Sequence, residues 1–336
     1  MRQKRGYVEM RNAGDFLPES VIQMLQKQHY GLFGHSAVKL CHYTKTSIKG
    51  KEKCYKHKFY GIQSQLCLQM TPTSSFCDQK CIYCWRPITA QEAKLKSVEN
   101  PEDIIENALK EQEKLLSGFG SLVKQGLVSK KMLEQALKPR HAAISLSGEP
   151  TLYSKLPELI KGFHKRGIST FLVSNGLHPE MLAKLIRKKA KPTQLYLSVD
   201  SGVKEVHERL NRPAVKDSWK RIQKSLSLLK KFPRTCIRVT LVKGWNDNHE
   251  KELAELIEKA RPSFAEIKAY MFVGYSRQRL KQENMPLHSE VKAFAKKLLK
   301  NLKHYKLQDD DSLSRVVLLW NGKTKLKIDF KNLGGF

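Results

Sequence analysis

Cys77-Asp78-Gln79-Lys80-Cys81-Ile82-Tyr83-Cys84 sets three thiols at C-x3-C-x2-C within eight residues, with an aromatic ring directly before the last. Thiolates this closely spaced suit iron–sulfur clusters or zinc. Three of them can hold three irons of a 4Fe–4S cluster and leave the fourth iron without a protein ligand. A structural zinc ion takes four closed ligands, so a zinc knuckle here would have to recruit Cys67. The spacing therefore points to a cluster with one open iron, and the zinc knuckle is the competing reading.

A second set of cysteines sharpens this. Cys41, Cys54 and Cys67 stand at C-x12-C-x12-C just upstream, so six of the seven cysteines fall within 44 residues and only Cys236 lies elsewhere. Buried cysteines often act as small hydrophobes, but the neighbours here are polar and basic: Lys39, His42, Tyr43, Lys53, Lys56, His57 and Lys58. Two triplets imply two clusters. A disulfide framework is not expected, because the count is odd and Met1 to Met10 carry charge rather than an apolar signal core. A reducing cytoplasm is the expected compartment.

The 336 residues suit one large domain with extensions, and 40% hydrophobic content suffices for a core. No apolar run approaches the roughly 18 residues of a membrane helix, so no membrane segment is expected. Lys and Arg number 62 against 32 Asp and Glu, a formal charge of +30. Such an imbalance favours a polyanion, because each neutralised phosphate releases counterions. Basic runs at Lys184–Lys191, Lys220–Lys231, Arg277–Lys281 and Lys296–Lys306 supply the contacts; singly, each would be a solvated helix face. A thermophile-style surface would bring matching acid, so RNA is the expected partner.

From the triplet onward, short β runs alternate with helical patterns. Expected strands are Leu66–Thr71, Ala142–Leu146, Thr170–Val173, Gln194–Val199, Cys236–Val242 and Glu266–Phe272. Expected helices lie near Glu19–Gln28, Pro101–Leu116, Lys155–Lys165, Pro179–Lys189, Asp217–Lys231 and His249–Lys259. Pro101 and Pro179 suit first helical positions, and Asp217 and Asn248 suit N-caps. The fold class is α/β, six β/α units curled into a partial barrel whose functional loops follow the strands. Those loops carry Ser147-Gly148-Glu149-Pro150, Ser174-Asn175-Gly176 and Asp200-Ser201, with Ser198 at the end of the fourth strand. Gly148 permits close backbone approach, and Glu149 can accept from an ammonium. Arg238 on the fifth strand would point into the barrel, where a buried charge needs a partner: a cofactor carboxylate, or Glu266 on the next strand. Cys236 reads as core.

Taken together, the segments resemble the archaeal-type tRNA 4-demethylwyosine synthases. The likeness runs through Ser36–Cys41, Cys54-Tyr55-Lys56, Phe59-Tyr60-Gly61, Cys67–Pro72, Cys77–Trp85, Ser147–Tyr153 and Val173–Gly176, from about Gly31 to Tyr275. It implies a radical S-adenosylmethionine partial barrel, a lyase-type enzyme with two 4Fe–4S clusters, on Cys77, Cys81 and Cys84 and on Cys41, Cys54 and Cys67. S-adenosylmethionine would bind the open iron of the first, near Tyr83, Gly148, Glu149, Ser174, Asn175, Ser198, Asp200 and Arg238, with adenine along the backbone at Val273. Ser147 departs from the first glycine of the superfamily's glycine–glutamate loop. The implied reaction joins N1-methylguanosine beside the anticodon of tRNA-Phe to pyruvate, giving the tricyclic wyosine core. The second cluster's open iron would chelate pyruvate, and Lys56 matches the family lysine proposed to form a Schiff base with it. As a plain residue, Lys56 could equally bind an anion, with Lys39, Lys53 and Lys58 as close in sequence. An external one-electron reductant and a monomer are implied, since no flavodoxin-like domain precedes the barrel. Another radical RNA-modifying enzyme, a methyltransferase or methylthiotransferase, and a non-catalytic zinc RNA-binding protein are the alternatives.

Three regions are expected: 1–65, an extension carrying the upstream cysteines; 66–276, the barrel; and 277–336, a C-terminal helix and hairpin. The hairpin is expected from Arg315–Trp320 and Leu326–Phe330 about Asn321-Gly322-Lys323.

Overall fold

The computed structural model describes residues 11–90, 95 and 97–330, and Met1–Met10 lie outside it. Among the described residues ten strands form one sheet: β1 (Gly31–Phe33), β2 (Ser36–Val38), β3 (Cys67–Thr71), β4 (His141–Ile144), β5 (Ser169–Ser174), β6 (Gln194–Ser198), β7 (Thr235–Leu241), β8 (Phe264–Ala269), β9 (Lys306–Asp311) and β10 (Val316–Trp320). Their order is β1-β2-β3-β4-β5-β6-β7-β8-β10-β9. β3 to β8 are parallel neighbours in chain order. β1 and β2 border β3 in antiparallel pairing, and β10 and β9 border β8 likewise. β3 and β8 do not pair, so the barrel of six β/α units stays open.

Parallel strands are covered on both faces, which is why these runs are nearly all apolar. On the helix side a core joins Leu68 and Met70 of β3 to Ile144, Leu172, Leu195 and Ile267. Burying each such side chain stabilises the fold by about 1.5–3 kcal/mol. On the inner side Phe171, Tyr196, Cys236 and Phe264 pack against Tyr55 and Tyr60 and floor the barrel. Cys236 is fully buried there, as a core residue should be.

The helices meet expectation closely, with Pro101–Leu116 and Pro179–Arg187 beginning on their prolines. Asn100 caps the first of these, its Oδ1 accepting from the Glu102 N–H. Two cap expectations need correction. Asp217 is an N-cap by position but sits in the left-handed region and makes no side-chain cap bond. Asn248 lies one residue outside its helix, whose N-cap is His249.

The hairpin also differs. β10 folds back on β9, through Ser312–Arg315, and Leu326–Phe330 forms no strand. Leu326, Ile328 and Phe330 are drawn instead to the barrel floor, where the Ile328 N–H donates to the Tyr60 carbonyl. β9 reads Lys-Leu-Gln-Asp-Asp-Asp, a charged edge strand that blunts further pairing. Its low β propensity hid it from sequence patterning. No helix among the described residues is long and apolar enough to cross a membrane.

Candidate active site at the barrel mouth

The loop after β3 carries the first triplet and is tied to the rest of the barrel at every turn. At its root the Ser74 N–H donates to the His35 carbonyl, and the His35 Nδ1–H donates to the Pro72 carbonyl at 2.6 Å. Gly148, at φ +67°, lies so close that a Cβ there would stand 1.8 Å from the Thr73 carbonyl oxygen. Only glycine fits. The Lys80 and Ile82 N–H groups donate to the carbonyls of Arg212 and Leu210. Arg279 holds the other flank, donating to the Ile82 carbonyl at 3.0 Å and also to that of Cys84. Gly274 admits the Trp85 carbonyl, 2.4 Å from where its Cβ would be.

The residues expected around this loop come together. Tyr83 donates to Asp200 at 2.6 Å, and Asn211 bridges the pair, reaching Asp200 at 2.7 Å and the Tyr83 oxygen at 3.1 Å. The other Asp200 oxygen accepts from the Thr240 N–H, so the loop is keyed to β7. Glu149 is buried and already engaged: one oxygen accepts from the Thr151 N–H and hydroxyl, the other from the Asn175 N–H at 2.7 Å. Burial, then Asp78, raises its pKa. Asn175 donates to Asp78 at 2.7 Å, and His178 pairs with the second Asp78 oxygen at 2.8 Å. The Ser174 hydroxyl accepts from the Gly176 N–H. The Ser147 hydroxyl is buried without a partner among the described residues. Ser198 ends β6 opposite Arg238 on β7, and Val273 stands exposed at the rim.

The second triplet is assembled from three elements. Cys41 and Cys54 are the residues preceding two short helices, His42–Ile48 and Tyr55–Tyr60, in the same extended conformation, and Cys67 begins β3. Ser64 joins them: its hydroxyl accepts from the Cys54 N–H at 2.9 Å and its carbonyl from the Thr44 hydroxyl. A cavity of about 290 Å³ opens beside them, lined by Cys41, Cys54, Cys67, Lys56, Arg238 and Lys268 and, among the described residues, by no carboxylate. Of the lysines close to Cys54 in sequence, Lys56 alone lines it, its ammonium 4.5 Å from the Tyr196 ring centre. Lys58 turns outward to Asp309, and Lys39 lies over Tyr30. Of the two alternatives for Arg238, the salt bridge to Glu266 does not form among the described residues, although the two are register partners. Glu266 accepts from Tyr55 and Tyr60 instead.

The radical SAM superfamily matches residues 71–257, and the wyosine base formation family matches 259–321. The S-adenosyl-L-methionine-dependent tRNA 4-demethylwyosine synthase of Pyrococcus abyssi is 48% identical over 307 residues, 90% of this chain and 89% of its own. That of Methanocaldococcus jannaschii is 42% identical, over 92% of this chain and 98% of its own. The chain belongs to this synthase family. It is also similar, at 41% identity and a TM-score of 0.84, to a solved structure of TYW1 with a lysine-pyruvate adduct bound, over 94% of this chain and 99% of that one.

Membership of the radical SAM superfamily brings S-adenosylmethionine and a 4Fe–4S cluster, and the donor set of this synthase fits one. All seven cysteines are free of disulfides. Burial, followed by the charge of Cys81, raises the Cys77 thiol, and burial with Cys84 pushes Cys81 up to about 12. Burial likewise lifts Cys54 to about 11 and Cys67 further. Thiols this reluctant to ionise lose their protons to a metal, which stabilises the thiolate directly. No three His, Cys, Asp or Glu side chains among the described residues converge on a point that could hold a single ion; a cluster spreads its ligands over separate irons.

Several of the residues that build the site carry no signal in the sequence. Asp78, His178, Asn211, Ser64 and Arg279 have no motif of their own, since each acts through a partner distant in the chain. Lys268 is the sharpest omission. It faces the cavity from β8, where burial, then the Arg238 charge, lowers its pKa to about 8.

Proposed function

We propose that the chain condenses N1-methylguanosine beside the anticodon of tRNA-Phe with pyruvate, forming the tricyclic 4-demethylwyosine core. The observation that carries the reading is the placement of Lys56 in one cavity with Cys41, Cys54 and Cys67. A structure similar to this chain over most of its length carries a lysine-pyruvate adduct. Cys77, Cys81 and Cys84 would hold the first 4Fe–4S cluster, and Cys41, Cys54 and Cys67 a second. When bound there with one electron from an external reductant, the first cluster and S-adenosylmethionine would supply a carbon-centred radical able to take hydrogen from a methyl group.

The chain's own residues orient and shield. The Tyr83–Asp200–Asn211 network holds the cysteine loop against the barrel. The Lys56 amine attacks the pyruvate ketone carbon; an imine forms, and the ketone oxygen leaves as water with the amine protons. This fixes the acceptor beside the incoming base. At the mouth Trp85 is 37% exposed, with the Arg86 guanidinium 4.3 Å and the Lys39 ammonium 5.6 Å from its ring centre. An exposed ring flanked by cations suits a splayed-out base and its phosphates. The charge of +30 suits the remainder of a tRNA, and the free thiols suit the cytoplasm.

A second reading places the imine on Lys268, whose depressed pKa favours the free amine. Borohydride reduction with labelled pyruvate, followed by peptide mapping, separates the two. The expected result is a secondary amine on the Lys56 peptide, absent from Lys56→Ala. A label on Lys268 moves the amine to β8, and no label on either lysine removes the imine from the mechanism.

A further inference from the structure

We propose that Arg238 anchors the carboxylate of the α-keto acid and makes the cavity select keto acids over neutral ketones of similar size. The inference rests on the keto-acid reading above and adds a specificity-determining residue to it.

Arg238 sits mid-strand on β7, on the same face as Cys236 below and Thr240 above. That face looks into the barrel, and the side chain lines the cavity that holds Lys56. Among the described residues its guanidinium makes no hydrogen bond or ion pair, although Tyr55 and Glu266 lie near enough to favour its charge. A guanidinium carries five N–H donors in a planar fork. Leaving them idle in a largely buried setting is costly unless a ligand takes them.

Among the described residues the neighbours do not take them. Both Glu266 oxygens already accept, from Tyr55 at 2.9 Å and from Tyr60 at 2.7 Å. Glu266 thus supplies background charge that keeps the arginine tolerable inside the barrel, without occupying its fork. Nor do the other two cavity cations suit the anchor. Lys56 must keep its amine free for the ketone, and forming an imine consumes its point charge. Lys268, which has one donor on the Ser314 carbonyl, offers a point charge rather than a planar fork. Three cations therefore line a cavity without a carboxylate, and one of them has a two-pronged donor face to spare. A carboxylate is the group that matches that face. An α-keto acid bound this way has its carboxylate on β7 and its ketone toward Lys56 on the helix following Cys54.

The test reads borohydride-trapped adduct on the cluster-loaded protein against the concentration of pyruvate or of methyl pyruvate, its uncharged ester. R238Q should raise the half-saturating concentration of pyruvate at least about tenfold, the usual worth of a hydrogen bond to a charged group. Methyl pyruvate should change less than about twofold, because it offers no carboxylate to lose. Comparing each compound across the two proteins cancels their different intrinsic reactivities. Equal weakening of both compounds overturns the anchor. So does a loss confined to iron retention, which would make Arg238 a counterion to the thiolates, or one confined to S-adenosylmethionine binding. If R238Q does not fold, the same ratio is read on R238K, which keeps the charge but not the fork: a selective loss for pyruvate supports the anchor and an equal loss overturns it. Wild type trapping neither compound would instead sink the keto-acid reading itself.

Discussion

Cys77, Cys81 and Cys84 leave a single loop, whereas Cys41, Cys54 and Cys67 arrive from two helix starts and a strand. The first triplet is held by its own chain: three thiols in eight residues cannot stray far, and backbone bonds to Arg212 and Leu210 fix the loop's path. The second depends on tertiary packing, with Ser64 as the joint between the pieces. A local triplet can therefore survive damage elsewhere, while a dispersed one registers any shift among its three supports. The dispersed triplet is also the one that shares its cavity with Lys56, Arg238 and Lys268.

The largest effect expected from this contrast comes from the cysteines themselves. Alanine at Cys77, Cys81 or Cys84 should abolish cleavage of S-adenosylmethionine, measured as 5′-deoxyadenosine. Alanine at Cys41, Cys54 or Cys67 should remove about half the iron, since one of the two proposed clusters would be lost, and end product formation while cleavage continues slowly. Normal product from Cys54→Ala would refute a role for the second triplet.

A middle-sized effect should come from acid, acting at the root of the first loop. His35 is fully buried and neutral: its Nδ1–H donates to the Pro72 carbonyl, and its Nε2 accepts from the Glu99 N–H at 2.7 Å. Burial lowers its pKa from 6.5 to about 4. The unfolded chain therefore takes up the proton first, and stability present above pH 6.5 is lost as pH falls toward 4. The loss from this residue should be on the order of 1–3 kcal/mol. Thermal unfolding between pH 7 and 4.5 should show it, with a shallower slope for His35→Gln; identical slopes would mean that His35 does not report the loop. His141 and His164 are depressed to about 4 in the same way and add to the common slope.

The smallest effect tests the joint. Ser64→Ala strips the Cys54 N–H of its acceptor and should cost about 1 kcal/mol. Iron and sulfide should fall only by the share belonging to the second triplet, with S-adenosylmethionine cleavage unchanged. A matching fall at both triplets would erase the distinction between them.

Much of the fold was legible in the chain. The parallel strands could be read because burial on both faces demands short apolar runs, and Pro101 and Pro179 marked helix starts because their missing N–H costs nothing there. Gly148 was singled out by its loop, and its reason is steric: the Thr73 carbonyl fills the space of a side chain. The failures have causes of their own. The chain only bends at residues 322–324, with Gly322 at φ +77°, and the apolar side chains of Leu326, Ile328 and Phe330 beyond it are captured by the barrel floor rather than by β10. Asn248 has a capping side chain at a position one residue too early.

By itself, the sequence determined which atoms could bind iron, how the six β/α units succeed one another and how strongly the surface attracts a polyanion. Those properties follow from spacing, period and charge, all of which are local or additive along the chain. Tertiary structure alone decided which of several nearby lysines enters the cavity, that Lys268 joins it from β8, and that Glu266 bonds two tyrosines and leaves the Arg238 fork open. Each of these depends on contacts between residues up to 211 positions apart, as between Tyr55 and Glu266. Desolvation and hydrogen-bond geometry are set at such distances by the packing of the barrel, and no pattern along the chain carries them.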